Sequence, residues 1–349
     1  MSALAITGVG LHIDTTDILK GITLSVPAGA IAALLGPTAS GKTALLRTIA
    51  GLDHPHAGTV RIGDETVFDA TAGIALPPER RRVGLMFQSD ALSPRWSALD
   101  NLVFTARQRG RDAAEAKAHA NRLLDRLGMI EIARQPVEQL SAVQRRRTAL
   151  GRALICEPKL LLLDDPLGGR ADDAGERMWL KQLLVESGIT TLIATRDRTE
   201  AFALAGHIAL INAGIIEQEG AASDIFARPA TPFVASFLAP CNRIAGTLVE
   251  KAGLRAFIDV ASTRLGGVNC TKAALGETCT GMIRIDRVLV GGGPGANRIR
   301  MKLAEQTYLG ERWELAFVND ALTIRAYASA PLRHEFYHIE FPPDALWVY

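Results

Sequence analysis

Gly36-Pro37-Thr38-Ala39-Ser40-Gly41-Lys42-Thr43 is the stretch of sequence that decides the fold of this chain. It matches the pattern G-x-x-x-x-G-K-[ST], and it lies between an apolar run at residues 30–35 and a helical pattern that opens at Thr43. In that context the glycines let backbone N–H groups surround a phosphate at the positive end of the helix, while Lys42 and Thr43 reach phosphate oxygens and Mg²⁺. An ordinary glycine-rich turn is the alternative. The strand and helix on either side favour a nucleotide-phosphate site.

A second apolar run, Leu160-Leu161-Leu162-Leu163-Asp164-Asp165, ends in two carboxylates. Asp164 suits the organisation of Mg²⁺, and Asp165 suits a place beside the water that attacks a terminal phosphate. Taken alone the pattern is weak, because a buried strand often ends in a solvated aspartate. Its position well downstream of Lys42, where a second strand of a phosphate site is expected, favours the catalytic interpretation.

The length of 349 residues predicts two domains, since a domain commonly has about 150 residues. With 48% hydrophobic and 22% charged residues the chain has the composition of a folded globular protein, which excludes extensive disorder. The 39 lysines and arginines nearly balance the 37 acidic residues, so we expect no nucleic-acid partner. We interpret the basic runs at residues 80–82 and 145–147 as solvated faces.

The cysteines and the hydropathy indicate a cytoplasmic protein. Cys156, Cys241, Cys270 and Cys279 form no CxxC pair and have no histidine at metal-ligand spacing, so neither a disulfide framework nor a zinc site is expected. No apolar stretch approaches the ~20 residues of a membrane span, and the N-terminus lacks the features of a signal peptide.

The texture of the sequence changes near residue 239. Before it, short apolar runs alternate with helical patterns at residues 43–50, 115–127, 142–155, 173–186 and 199–204, as in an α/β domain with a largely parallel sheet. After it, strand-like segments at residues 255–260, 281–285, 312–318 and 322–328 are separated by turn residues. We predict an α/β domain over residues 1–238 and a small all-β domain over residues 239–349.

Further motifs follow at ordered intervals: Arg82-Val83-Gly84-Leu85-Met86-Phe87-Gln88, Gln139-Leu140-Ser141-Ala142-Val143-Gln144, Arg152-Ala153-Leu154, Asp164-Asp165-Pro166-Leu167, Thr195-Arg196-Asp197 and Phe233-Val234-Ala235-Ser236-Phe237-Leu238. In this order they resemble the motifs of the ATP-binding subunits of ABC transporters, in particular bacterial importers with a C-terminal TOBE-type domain. The resemblance covers essentially the whole chain. It implies a P-loop NTPase domain with a mixed sheet and a helical subdomain, followed by an OB-like β domain.

The resemblance also implies a site and its ligands. Two such domains, here most simply a homodimer, face each other head to tail and hold ATP and Mg²⁺ between the phosphate loop of one and the signature helix of the other. Carried over, Asp165 is the catalytic base, and Gln88 and Arg196 assist it. Mg²⁺ would be bound by Thr43, Gln88 and Asp164. The nucleotide would be bound by Gly36, Pro37, Thr38, Ala39, Ser40, Gly41, Lys42, Thr43, Ala44, Ser141 and Gln144.

The partners follow from the same resemblance. Residues 89–99 would touch the transmembrane permease subunits, although Trp96 packing on its own domain is the alternative. A solute-binding protein would be an indirect partner, and the chain would lie peripherally on the cytoplasmic face of the plasma membrane.

Two departures from the family pattern bear on nucleotide binding. Ala39 stands where the family usually has glycine, and if that position needs a positive φ the methyl group costs about 1 kcal/mol. His12 and Ile13 stand where an aromatic residue stacks on adenine, so stacking is weaker unless His12 supplies it. Binding should survive both changes.

Three further departures bear on hydrolysis. Ala142 and Val143 replace the two signature glycines, although Ser141-x-x-Gln144 still forms a capping box that favours a helix. Asp165 replaces a glutamate and withdraws the carboxylate by ~1.5 Å, where a misplacement of ~1 Å can cost about 10²-fold in rate. Arg196 replaces the switch histidine, and it either contacts phosphate or serves at the surface or a dimer interface.

The sequence therefore favours a subunit that binds ATP, hydrolyses it slowly and powers solute import. The alternative is a nucleotide-gated structural or regulatory subunit without significant turnover. The β domain either binds a solute or regulator or serves only dimerisation. Val67-Phe68-Asp69 and the residues after it faintly resemble importers of molybdate and related inorganic anions, while polyamines, iron and sugars stay open.

Overall fold

The computed structural model describes residues 2–169 and 173–349. Packing divides the chain into two compact units, Met1–Ile225 and Phe226–Tyr349. The division falls ahead of the expected limit at residue 238. Among the described residues, no helix has the length and apolar character needed to cross a membrane.

A six-stranded sheet forms the centre of the first unit. Its order is β11-β10-β3-β9-β8-β7, and every neighbouring pair is parallel except β11 with β10. All five residues of β8 and all six of β9 are buried, as expected for parallel strands covered on both faces. The strands are β3 (Ile31–Leu35), β7 (Val83–Met86), β8 (Leu160–Asp164), β9 (Thr190–Thr195), β10 (His207–Asn212) and β11 (Ile215–Gly220).

A second, antiparallel sheet and one helix complete this half of the unit. The sheet has the order β2-β1-β4-β5-β6, and its strands are β1 (Ser2–Ile13), β2 (Thr16–Pro27), β4 (Ala57–Ile62), β5 (Glu65–Asp69) and β6 (Ile74–Ala75). Helix α1 (Lys42–Ala50) buries Leu45, Leu46 and Ile49 in one core with residues of both sheets. The phosphate loop is therefore attached to a helix that packs in the core between the two sheets.

The remaining helices of the unit share a second core. They are α2 (Ala98–Gln108), α3 (Ala113–Arg126), α4 (Ala142–Leu154), α5 (Ala174–Ser187) and α6 (Arg198–Leu204). Ser97, Asp112, Ser141, Asp173 and Asp197 cap their N-termini through side-chain oxygens. The helical patterns at 43–50, 115–127, 142–155, 173–186 and 199–204 are confirmed to within two residues at each end, whereas α2 was not predicted.

The interpretation of the basic runs as solvated faces is wrong for four of their arginines. Arg81 is 3% exposed and donates to the carbonyl oxygens of Thr48 and Ile49 at the end of α1, at 2.9 and 3.0 Å. The partly buried Arg145, Arg146 and Arg147 each donate to a backbone carbonyl outside α4, those of Leu140, Asp165 and Leu127. A guanidinium carries several donors on one planar group, so it satisfies carbonyls that a loop or helix end leaves unpaired.

The second unit is all-β apart from two short helices at its start. α7 (Ala222–Ala227) spans the division between the units, and α8 (Pro232–Leu238) follows it. A closed barrel has the order β12-β13-β14-β21-β15, the strand number of an OB fold. Its strands are β12 (Cys241–Ala252), β13 (Arg255–Val260), β14 (Thr263–Asn269), β15 (Thr278–Arg284) and β21 (Leu346–Val348).

A five-stranded sheet of order β16-β20-β17-β18-β19 lies beside the barrel and shares a core with it around the fully buried Phe317 and Phe341. Its strands are β16 (Leu289–Val290), β17 (Arg298–Tyr308), β18 (Trp313–Val318), β19 (Thr323–Ala328) and β20 (Phe336–Glu340). The predicted α/β domain followed by a small all-β domain is confirmed.

Candidate nucleotide-binding site

The phosphate loop runs from the end of β3 to the start of α1. The Gly36 N–H donates to the carbonyl of Thr195 at 3.3 Å, and a Cβ at Gly36 would lie 2.1 Å from the carbonyl oxygen of Ile211. Gly41 caps α1 with φ +103°, a backbone conformation that favours glycine. Both motif glycines are therefore required by the backbone itself, at opposite ends of the loop.

Ala39 has φ +60°. The backbone at Ala39 is therefore left-handed, which is the case for which the sequence predicted an energetic cost. A methyl group there costs roughly 1 kcal/mol, which the rest of the loop must offset. The loop keeps its path in spite of this substitution.

Lys42 lies across the inside of the loop. Its ammonium donates to the carbonyl oxygens of Gly36 at 2.9 Å and Pro37 at 2.6 Å and to the Ser40 hydroxyl at 3.2 Å. Burial lowers the pKa of Lys42 and the neighbouring Arg196 lowers it further, while Asp164 and Asp165 act to raise it. The Lys42 ammonium is thus half-buried inside the loop. A phosphate bound there would replace the loop carbonyls as its hydrogen-bond partner.

Thr43 and Asp164 meet beside the loop. The Thr43 hydroxyl donates to Oδ2 of Asp164 at 2.8 Å, so the start of α1 and the end of β8 supply two oxygens to one point. Burial raises the pKa of Asp164 and Asp165 adds to the rise, while the Thr43 hydrogen bond and Lys42 oppose it. Mg²⁺ binds through one or two protein oxygens together with phosphates and water, so this pair fits the ion.

Asp165 follows directly and has φ +52°. Its N–H donates to the carbonyl of Ala194 at 2.8 Å, and the residue is 9% exposed. Its carboxylate is close enough to influence the pKa of Lys42. The chain therefore bends sharply at the position of the candidate base, next to the phosphate loop.

Arg196 and Gln88 approach the same edge of the sheet. Arg196 follows β9 and is exposed, yet it acts on the pKa of Lys42. Gln88 is exposed in the turn after β7, which pairs in parallel with β8. Since parallel strands place their carboxyl ends at one edge, the structure brings Gln88, Asp164, Asp165 and Arg196 to the side that carries the phosphate loop.

Ser141 and Gln144 form the expected capping box at the start of α4. The Ser141 N–H donates to Oε1 of Gln144 at 2.8 Å, and the Gln144 N–H donates to the Ser141 hydroxyl at 3.2 Å. Ser141 is exposed. Helix α4 therefore still begins at the altered signature, with a cap formed entirely by residues of this chain.

The position expected to stack on adenine carries a histidine pair. His12 stacks on His56 with ring centroids 3.8 Å apart, and its Nδ1 lies against a carboxylate oxygen of Asp17. Ile13 is 49% exposed. The imidazole ring already has a stacking partner in this state of the chain.

Sequence reasoning missed Glu200. This carboxyl is 0% exposed and accepts from the Thr195 hydroxyl at 2.6 Å and from the Leu167 N–H at 3.3 Å. Burial raises the pKa of Glu200 to about 7, and the nearby Asp165 contributes to the rise. The only signal in the sequence is the pattern Asp197-x-x-Glu200, which is typical of an exposed helix start and gives no hint of burial.

Comparison with known proteins places this geometry in a family. A family model described as ABC transporter matches residues 19–168. The sulfate/thiosulfate import ATP-binding protein CysA of Mycobacterium tuberculosis is 39% identical over 276 residues, covering 78% of this chain and 75% of that protein. The trehalose/maltose import ATP-binding protein MalK of Thermococcus litoralis is 35% identical over 250 residues, covering 71% and 66%.

A solved structure agrees. That of cbiO1 from Clostridium perfringens, part of the ABC transporter complex cbiONQ, matches with a TM-score of 0.58 and 25% identity, over 65% of this chain and 91% of that one. The predicted P-loop NTPase fold of an ABC domain is confirmed. The chain therefore belongs to the ABC transporter family, as an ATP-binding subunit with the ATPase domain of that family.

Proposed function

We propose that this chain powers solute import by binding Mg²⁺-ATP and hydrolysing it slowly. The observation that carries the proposal is the hydrogen bond of Thr43 to Asp164 near Lys42. The two oxygens proposed to bind Mg²⁺ therefore lie close to the ammonium group proposed to bind the phosphates. Gln88 is the third proposed Mg²⁺ contact. The proposed ABC domain reaches residue 238, and the β domain that follows is the TOBE-type domain.

The proposed mechanism divides the work among this chain's own side chains. Lys42 and the N–H groups of the loop would hold the phosphates, while Thr43 and Asp164 would hold the metal. The bound Mg²⁺ would supply charge neutralisation at the phosphates. Asp165 would orient the attacking water and accept its proton, and Arg196 would donate to the terminal phosphate, both from positions that make hydrolysis slow.

A second copy of the chain would complete the site. Ser141 is exposed at the positive end of α4, where its hydroxyl and the first N–H groups of the helix can meet a partner's nucleotide. We propose a head-to-tail homodimer on this basis. Ala142 and Val143 would keep the signature backbone further from the phosphate than glycines would.

A membrane subunit would dock at residues 89–99 and the adjoining face of α2. Trp96 (39% exposed) packs edge-on against Phe104 (49% exposed), with ring centroids 5.0 Å apart, beside a groove of about 560 Å³. Ala91 is exposed, and its carbonyl accepts from Arg152, which braces this loop from α4. Trp96 thus contacts its own domain and still presents apolar surface, which supports docking. The chain would then lie peripherally on the cytoplasmic face of the plasma membrane.

The solute is proposed from the relatives. CysA is named for sulfate and thiosulfate and MalK for trehalose and maltose. We propose an inorganic oxyanion as the first solute to test, delivered through a solute-binding protein that need not touch this chain.

Steady-state hydrolysis tests the proposal. Full-length chain assembled with its permease subunits should hydrolyse ATP only with Mg²⁺, and Asp165→Asn should lower the rate at least tenfold while ATP still binds. Tight ATP binding without any turnover in the wild-type complex would instead establish the nucleotide-gated regulatory subunit.

Cross-linking tests the docking surface. Ala91→Cys should cross-link to a permease subunit, while Ala118→Cys, exposed on α3, should not. Products that contain only this chain would contradict docking at residues 89–99.

A further inference from the structure

The segment that follows Asp164 has an unusual backbone. Asp165 and Gly168 have φ +52° and +58°, and the Gly168 N–H donates back to the Asp165 carbonyl at 3.0 Å. We name residues 165–168 the base segment. A non-glycine residue keeps a left-handed conformation only where its surroundings impose it, so something beyond the local sequence must hold Asp165 in place.

Arg146 of α4 holds the base segment from one side. Its Nη1 donates to the Asp165 carbonyl at 2.8 Å. A Cβ at Gly168 would lie 2.1 Å from Nη2 of Arg146, so the guanidinium fills the space that a side chain at Gly168 would need. The bend at Asp165 and the placement of Arg146 therefore depend on each other.

Glu200 of α6 holds the same segment from another side. One of its oxygens accepts from the Leu167 N–H and the other from the hydroxyl of Thr195. Thr195 also accepts from the Gly36 N–H through its carbonyl and directly precedes Arg196. Glu200 thus connects the base segment to the strand end that supports both the phosphate loop and the switch residue.

The charge around Glu200 is unfavourable for a purely structural carboxyl. Within residues 2–169 and 173–349, the charged groups that influence Glu200 are Asp165 and Asp197, both acidic. A fully buried acid with acidic neighbours opposes folding once it ionises. Against this cost, the two hydrogen bonds of Glu200 hold together the segments around the site.

We propose that Arg146 and Glu200 are positioning residues that together fix Asp165 for ATP hydrolysis. The inference rests on the proposed role of Asp165 as the base. Their side-chain hydrogen bonds go to the base segment and to Thr195 and not to the phosphate loop itself, so we expect both to act mainly on turnover and to change ATP affinity little. A displacement of Asp165 by ~1 Å is enough to change the rate by about 10²-fold.

Kinetics on the full-length chain test this inference. Arg146→Met and Glu200→Ala should each lower kcat about 10- to 100-fold, with KM and the Kd for ATP changed less than about threefold. Arg146→Lys and Glu200→Gln keep a donor and an acceptor at these positions and should recover most of the rate. Arg147→Met removes a neighbouring arginine that contacts Leu127 and Glu176 instead, and it should keep kcat near that of the wild type.

A second route removes the same contact without touching Arg146. Gly168→Ala should displace the guanidinium and lower kcat to a similar extent, and combining it with Arg146→Met should add little, because both act on one contact. This pair keeps the test valid if Glu200→Ala does not fold.

Three results would overturn the inference. The first is an unchanged kcat in Arg146→Met and Glu200→Ala while Asp165→Asn is inactive, which leaves the proposed base intact. The second is a parallel loss of ATP affinity and kcat, which indicates a general folding role. The third is full activity of Asp165→Asn, which removes the proposed base and this inference with it.

Discussion

The two halves of the nucleotide site differ in how far the family pattern has been kept. In the binding half, the motif glycines, Lys42, Thr43 and Asp164 are all present, Lys42 is hydrogen-bonded to Gly36, and Thr43 is hydrogen-bonded to Asp164. In the hydrolysing half, Asp165, Arg196 and the Ala142-Val143 pair replace the residue types expected there, although the capping box and the backbone bend are formed. The difference teaches that the scaffold for turnover persists while the groups that would perform it have changed. Binding and hydrolysis should therefore respond to different substitutions.

Lys42→Ala should break the binding half and give the largest effect. The ammonium is the only side-chain cation drawn inside the loop among the described residues, and charge-assisted bonds to phosphate are strong. We expect ATP affinity to fall roughly 10³-fold, about 4 kcal/mol, by calorimetry. Lys159→Ala removes an exposed lysine at the opposite end of β8 and should leave affinity unchanged. Equal affinities of wild type and Lys42→Ala would refute the assignment of the loop.

Asp165→Glu combined with Arg196→His should restore the hydrolysing half. In a homodimer both sites would carry the proposed altered base, switch and signature, and in a heterodimer with an intact partner each site would still inherit part of these changes. We expect kcat to rise about 10²- to 10³-fold with little change in ATP affinity, because the added carbon atom extends the carboxylate toward the water. A wild-type complex that already turns over several times per second would contradict the impairment.

Glu200→Gln should change how stability depends on pH. Burial raises the pKa of Glu200 from 4.5 to about 7, so between these values the folded chain keeps a proton that the unfolded chain releases. As far as Glu200 determines it, the free energy of unfolding is highest below pH 4.5 and falls as the pH rises through 7. The variant should therefore become more stable than the wild type by up to about 3 kcal/mol across this window. Urea unfolding at pH 5, 6, 7 and 8 measures the difference, and parallel pH profiles would exclude a buried titrating carboxyl.

Ala39→Gly should give the smallest effect. It relieves the left-handed strain at φ +60°, less the entropy that glycine adds to the unfolded chain, so we expect a gain of at most about 0.5 kcal/mol in unfolding free energy. Ala118→Gly, on the exposed face of α3, should instead cost about 1 kcal/mol. A loss of stability in both variants would show that Ala39 is not strained.

Local patterns made much of the fold predictable. The phosphate loop, the helix that follows it and the Ser141-x-x-Gln144 cap each depend on residues a few positions apart, and the structure places them as expected. Helix α2 was missed because its capping box pairs Ser97 with Asp100, and an aspartate at that position is a weaker signal than glutamate or glutamine. The change from helices to strands after residue 238 was visible in the strand-like segments and the turn residues that separate them.

The sequence by itself determined which residue types are available for chemistry: the phosphate-loop set, the paired aspartates and the altered base, switch and signature. Only the tertiary structure decided which of them meet. Thr43 reaches Asp164 across 121 residues of chain. Arg146 of α4 and Glu200 of α6 both donate to or accept from the backbone of residues 165–168. The burial of Arg81 and Glu200 and the partial burial of Arg146 belong to this second class. A charged side chain is exposed by default, and only long-range packing that supplies its hydrogen-bond partners can offset the cost of taking it out of water.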